Sequence, residues 1–348
     1  MAQQPNPPIR LGFDTYSLRA FRWKALQLLD YAAAQKLDTV QISDLADYES
    51  LEPAYLSRVR DRGKELGLVL DGGMGCICPL SKGYHSKKPS AREAVLEGLK
   101  ASQAIGATSM RCFMGSSEDR LSDERPIEQL MEETIRVCRS VKSEAQDLNV
   151  KIALENHAGD LQAREVLTII QESGPDYVAA CLDTGNPMWV MEDPVVTMEV
   201  LGPHVVTTHV RDSCVFEHPR GAAAQWVALG DGNVDLTKVV ELHRKLCPNA
   251  GMQLEIITGR PPRVLPFYEQ DFWRFFPKAN ASEFARFVNL ARGGHPFMGT
   301  MVIEDAAKMR DVPAYAEALR EQQKIDLERS FEYAKRTLGV GIKGREAI

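Results

Sequence analysis

Eight short apolar runs, spaced by helix-period stretches, constrain this chain more than any other feature. They are Leu11–Phe13, Thr39–Ile42, Leu68–Leu70, Ser109–Phe113, Lys151–Leu154, Val178–Leu182, Val205–Thr208 and Met252–Ile257. Most are rich in branched residues and bounded by Gly, Pro, Asp or Asn, as strands buried on both faces should be. Between them, Trp23–Lys36, Tyr55–Leu66, Ala91–Ile105, Ile127–Leu148, Ala163–Glu172 and Leu236–Leu246 carry helical periodicity. Ser90 and Asp235 stand where N-caps belong. Strands alternating with helices imply a parallel sheet with right-handed crossovers, closing as a (β/α)8 TIM barrel. A doubly wound open sheet is the alternative, but "GFDTYSLRAF" replaces the Gly-rich fingerprint after the first run.

Two segments exceed a minimal barrel. Thr258–Phe297 follows the eighth run, is dense in Pro, Arg and aromatics, and is too long for an ordinary loop. It reads either as a lid or interface element or as an insertion packed on its own barrel. Beyond it, 312–338 reads as a C-terminal helix with Pro313 in the first turn. No repeat or low-complexity linker divides the chain, so one domain over 1–348 is expected.

Composition removes several function classes. A net charge of −6 favours neither nucleic acid nor an anionic membrane as partner. No apolar stretch has the length to span a bilayer, and the start, "MAQQPNPPIRLGF", lacks a secretory pattern. Seven cysteines, an odd number, suit buried or free thiols in a reducing cytoplasm better than a disulfide framework.

Barrel enzymes place their chemistry where strands end. The fifth run ends in Glu155 and His157 ("KIALENH"), the sixth in Asp183 ("AACLDTGN") and the seventh in His209 ("VVTTHVRD"); the eighth carries Glu255 ("MQLEII"). Neighbouring strands lie about 5 Å apart, so groups on four consecutive strands can converge. Carboxylates gathered there would repel one another, and a bound cation removes the conflict. Carboxylates with imidazole form a mixed O/N donor set without thiolate, suited to Mn²⁺, Co²⁺, Mg²⁺ or Zn²⁺.

The segments "IALENH", "CLDTGN", "TTHVRD", "ALGDGNVD" and "QLEII" resemble the xylose isomerase-like sugar isomerase/epimerase superfamily over roughly residues 9–257. The resemblance implies Glu155, Asp183, His209 and Glu255 as ligands of a divalent metal, Mn²⁺ foremost. It also implies Glu155 and Glu255 as catalytic bases on a small sugar or keto-sugar substrate. Gly230–Asp235 resembles a substrate-side loop, or is a tight turn before the next helix. Ketose 3-epimerases carry His three residues after the strand-six Asp, where this chain has Asn186, and an Arg several residues past the strand-seven His, where Arg211 comes only two later. The extra histidines of the apurinic endonuclease branch are missing from "QISD" and "VLDGGMG".

Such a metal would stabilise the enediolate formed when a proton leaves the carbon beside a carbonyl. His157, two residues past Glu155 and so on the same strand face, is a third catalytic candidate; the alternative role is to orient Glu155. The Glu-Asn-His order also resembles the large subunits of C-glycoside deglycosidases, lyases acting on 3-keto sugars. The leading expectation is therefore an isomerase or epimerase. Its alternatives are a lyase performing β-elimination on a 3-keto glycoside or inosose, and a non-catalytic sugar- or partner-binding barrel. Arg111, Asn186, Arg211, Trp189 and Asp14 are the substrate-binding candidates, with Tyr16, Trp226 and Phe113 as further lining; a salt bridge to Glu155 or Asp183 is the alternative for Arg111. A homo-oligomer, with a small partner subunit as a further option, is the expected assembly.

Overall fold

The computed structural model describes residues 8–304 and 312–343; the opening residues read for a leader fall partly outside that range. Its strands are β1 (Leu11–Asp14), β2 (Thr39–Gln41), β3 (Val69–Cys76), β4 (Ser109–Phe113), β5 (Lys151–Glu155), β6 (Val178–Asp183), β7 (Val205–His209), β8 (Asp212–His218), β9 (Gly221–Val227), β10 (Met252–Leu254) and β11 (Arg263–Leu265). Eight of them form one parallel sheet in the order β10-β1-β2-β3-β4-β5-β6-β7. The sheet closes through Val210, whose N–H donates to Gln253 O at 2.7 Å and whose carbonyl accepts from Glu255 N at 3.2 Å. The result is a TIM barrel.

The helices follow the periodic stretches. Ser90 accepts from Glu93 N at 3.2 Å and Asp235 from Lys238 N at 2.9 Å, each satisfying a free donor of a first turn. The stretch read as one helix from Ile127 breaks at Val141 into Ile127–Ser140 and Lys142–Asp147. Helix Pro194–Leu201, between β6 and β7, has no counterpart in the sequence reading. "PVVTMEVL" is buried on nearly all sides, so it carries no polar stripe to mark a helical period.

The barrel interior is unusually polar. Gln41, Asp71, Ser109, Thr207 and Gln253 meet inside it, and space for them is made at Gly12, where a Cβ would lie 2.4 Å from Gln253 Oε1 and 2.1 Å from Thr39 O. Below and around this layer the strands bury Leu11, Phe13, Val40, Ile152, Leu154 and Leu182.

A second sheet covers part of the barrel mouth. β8 and β9 form an antiparallel hairpin directly after β7, and β11 pairs antiparallel with β9. Most of the aromatic segment after β10 is therefore structured: β11, a 3-10 turn at Gln270–Phe275 and helix Ala281–Arg292, which packs against β8. Its aromatics bury one another, with Phe284 edge-on to both Phe267 and Trp273 at 5.0 Å. Helix Pro313–Arg336 packs back on the barrel through Leu327 and Phe331, the latter edge-on to Phe13 at 6.2 Å.

Candidate metal centre and substrate cleft

The strand ladders set the heights of the strand-end groups. Glu155 pairs across the sheet with Cys181, and Asp183, two residues farther along β6, pairs with His209 at the end of β7. Glu255 lies just past β10, at the closing bridge. One ligand atom from each of Glu155, Asp183, His209 and Glu255 falls within 4.8 Å of the others, and all four residues are buried. Such a cluster could hold a metal ion. The donor set is not as thiol-free as the sequence suggested, because Cys181 forms an alternative cluster with Glu155 and His209. Burial pushes the Cys181 thiol up, which favours the oxygen and nitrogen donors.

His209 gives the most specific sign that the residues fit a cation. Its Nδ1 makes no hydrogen bond, although Glu155 Oε1 and Glu255 Oε2 each lie 3.3 Å away. The other ring nitrogen donates to Gln41 Oε1. The direction of that bond is set from below: Thr207 Oγ1 donates to Asp71 Oδ2 at 2.9 Å, and Gln41 Nε2 donates to Thr207 Oγ1 at 2.7 Å. Gln41 must then present its oxygen to His209, which makes Nε2 the donor and turns Nδ1, without a hydrogen bond of its own, toward the carboxylates. Asp14 Oδ2 lies 3.3 Å from His209 Nε2, on the side away from the cluster.

Positive charge is short here. Against the three clustered carboxylates and Asp14 stand two guanidiniums and His209, whose pKa burial would lower but the neighbouring acidic groups raise well above its usual value. Arg111 Nε donates to Glu155 Oε2 at 2.5 Å, and Arg211 Nη2 bonds both Asp183 Oδ2 and Glu255 Oε2. Burial alone would push the Glu155 carboxyl up, but Arg111 and His209 outweigh it and hold it well below the usual range. Burial wins at Asp183, raising it to about 6 despite Arg211. Gly185 makes room for Arg211, since a Cβ there would stand 2.3 Å from its side chain. Asn186 donates to Glu155 Oε1 at 3.0 Å, so both Glu155 oxygens are engaged.

The loop after β5 places His157. Asp160, fully buried, accepts from His157 N at 2.9 Å, Leu161 N at 2.6 Å and Gly115 N at 3.0 Å. Gly115 O in turn accepts from His157 Nδ1 at 2.6 Å, which leaves Nε2 with the lone pair. Nε2 makes no hydrogen bond among the described residues, and the ring lines the cleft, stacked on Phe113 at 3.8 Å. Burial lowers the His157 pKa to about 4, so the ring is neutral near pH 7.

The cleft measures about 1160 Å³ and is lined by Tyr16, Arg111, Asn186, Trp189, Arg211 and Glu255, among others. Trp189 and Trp226 stack at 4.1 Å. Residues 29–264 match the family described as xylose isomerase-like TIM barrel. This chain belongs to that family. A curated relative, 3-oxo-isoapionate decarboxylase of Pectobacterium atrosepticum, is 25% identical over 256 residues, covering 69% of this chain and 81% of its own. Among solved structures, D-psicose 3-epimerase superposes with a TM-score of 0.58 at 13% identity, over 95% of this chain and 100% of that one. A zinc-bound IOLI protein gives 0.54 at 12% identity, over 81% and 95%. At these identities the two structures bear on the fold alone.

Of the remaining sequence candidates of this xylose isomerase-like barrel, Asp14 is not on the cleft. It lies against His209 and caps the turn at Thr15–Phe21, accepting from Tyr16 N at 3.0 Å. The Gly230–Asp235 turn is also outside the cleft; the Gly230 and Gly232 N–H groups donate to Asp212 Oδ2, each at 3.0 Å. Gln41, Asp71 and Asp160 went unnoticed in the sequence. Each is a polar residue interrupting or closely following an apolar run, and that was the available signal. Among the described residues no helix is long and apolar enough to cross a membrane.

Proposed function

We propose that this cleft is a metal-dependent enolisation site for a keto sugar, in the isomerase/epimerase class. The observation that carries the reading is the convergence of His209 Nδ1 with three carboxylates, the ring being oriented by a relay that begins at Asp71. Glu155, Asp183, His209 and Glu255 would hold the divalent ion, with Mn²⁺ as the first choice. Bound there, the ion supplies Lewis-acid polarisation of a carbonyl and its neighbouring hydroxyl. His157 Nε2 takes the proton from the adjacent carbon, while the Gly115 carbonyl keeps Nδ1 protonated and the ring oriented. Arg111, Asn186 and Arg211 orient the sugar hydroxyls, and the stacked Trp189 and Trp226 shield the reacting carbon from water.

A second outcome from the same enediolate is loss of a leaving group, a lyase reaction. It is favoured by the engagement of both Glu155 oxygens, by Arg111 and Asn186. Two-base epimerisation needs Glu155 available, whereas β-elimination from the enediolate does not. The curated relative named as a decarboxylase fits lyase chemistry in general, since loss of CO₂ beside a carbonyl leaves an enolate of the kind such a site stabilises. The test is a panel of ketohexoses, inososes and 3-keto glycosides incubated with metal-loaded protein in D₂O. Inversion with solvent deuterium at one carbon identifies an epimerase; loss of water or aglycone identifies a lyase. Turnover of none, with metal bound, leaves a binding barrel. His157→Ala should abolish exchange by at least about 100-fold with metal content intact; loss of metal instead would make it a ligand or its support.

A further inference from the structure

The stacked indoles carry two guanidiniums in opposite circumstances. Arg211 lies over Trp226 at 4.5 Å and has Asp183 and Glu255 as counter-ions. Arg263 lies over Trp189 at 4.7 Å. Among the described residues no carboxylate comes within ion-pair distance of it. Its Nη1 donates to Ser117 Oγ at 2.6 Å, while Nε and Nη2 make no hydrogen bond among those residues. The side chain lines the cleft, and Glu118 acts on its charge only from farther off.

Of the other cleft arginines, Arg111 and Arg211 pair with the site carboxylates, and Arg22, which has no ion pair among the described residues, is exposed to solvent. Arg19 and Arg260 both pair with Glu304, at 3.1 and 3.6 Å. Arg263 is also held in place: its backbone pairs with Ala224 of β9, its guanidinium rests on an indole, and one N–H is tied to a serine. A half-buried, pre-oriented fork of donors that faces a cavity without a counter-ion matches a carboxylate or phosphate.

We propose that Arg263 is an oxyanion subsite, and that the substrate is a keto sugar bearing a carboxylate or a phosphate remote from the reacting carbonyl. The proposal deepens the enolisation reading and rests on it for the sugar's orientation.

The test is calorimetric titration of metal-loaded protein with D-fructose, D-fructose 6-phosphate and D-fructuronate, whose carboxylate at C6 stands where the phosphate does. The two anions should bind at least about tenfold tighter than fructose, and Arg263→Gln should remove about 10–100-fold from anion affinity while leaving fructose unchanged. Arg263→Lys, which keeps the charge but not the fork, should restore part of it. Preference for phosphate or for carboxylate names the charged group, and either supports the subsite. Equal affinity for all three probes, binding of none, or equal weakening of fructose and the anions in Arg263→Gln overturns it. Asp183→Ala protein separates this proposal from the metal reading. An Arg263-dependent anion preference that persists there supports the subsite with the metal end disabled.

Discussion

Behind one end of the cleft, β5, β6, β7 and the turn after β10 deliver Glu155, Asp183, His209 and Glu255, of which Glu255 lines the cleft, and most of their polar atoms already have partners. At the other end, Arg263 arrives on β11, a strand of the added sheet, and keeps two of its donor nitrogens without partners among the described residues. Ladder hydrogen bonds of a closed barrel fix the first set, and a polar relay inside the barrel supports it. The second end is fixed by a short strand and an aromatic face. The contrast separates two tasks: the barrel end concentrates negative charge that a cation resolves, and the added sheet offers positive charge that a substrate resolves.

Mutations at the barrel end should have the larger effects. Asp183→Ala removes one donor and leaves Arg211 with Glu255 as its carboxylate partner; bound divalent metal, measured by elemental analysis after dialysis, should fall by more than about 100-fold in affinity. Unchanged metal content would remove the distinction between the two ends. Gln41→Leu keeps all four ligands but cuts the relay beneath His209, and metal affinity should drop by about 10–100-fold with the fold retained.

Asp160→Asn is a narrower probe of the wall between the ends. An amide in place of Oδ2 would set a donor against Gly115 N–H, disturbing the carbonyl that holds His157 Nδ1. Stability should fall by about 1–3 kcal/mol in denaturant titration, and deuterium exchange by about tenfold, with metal content unchanged.

The smallest effect concerns Glu192, behind the turn that carries Trp189. Its Oε1 accepts from Thr197 Oγ1 at 2.6 Å and its carboxyl from Ala163 N at 3.2 Å, and burial raises it from 4.5 to about 7. The folded protein therefore holds a proton that the unfolded chain releases, so this group's contribution is complete below about pH 4.5 and is lost as pH rises through about 7. Glu192→Gln should flatten that limb in thermal melts recorded across the interval. Parallel curves for the two proteins would reject the assignment.

The barrel was legible because its strands are local features: each buried run and its bounding turns lie within a few residues. The hairpin was not. "GAAAQWV" in β9 is alanine-rich, with low strand propensity, and its pairing with β8 is what makes it extended. Helix Pro194–Leu201 was hidden for the opposite reason, being buried on nearly all sides with Glu199 as its one exposed polar residue. At the candidate site, residue types at strand ends pointed to Glu155, Asp183, His209 and Glu255, and Arg111 to a salt bridge with Glu155 or Asp183, of which the structure has the Glu155 pair; the other partners were not legible. Arg211, read as a substrate contact, spends Nη2 on two carboxylates, and Asp14 lies against His209 instead of facing the cleft.

The sequence by itself therefore determined which strands form and which chemical groups end them, since both depend on neighbours along the chain. Only the tertiary structure decided which charges are paired and which remain to be paired. Arg111 and Arg263 look alike in sequence, but one meets Glu155 across adjacent strands and the other is carried on β11 to an indole with no carboxylate at ion-pair distance among the described residues. Electrostatic partnership depends on distance in space, and closure of the barrel and its added sheet sets those distances.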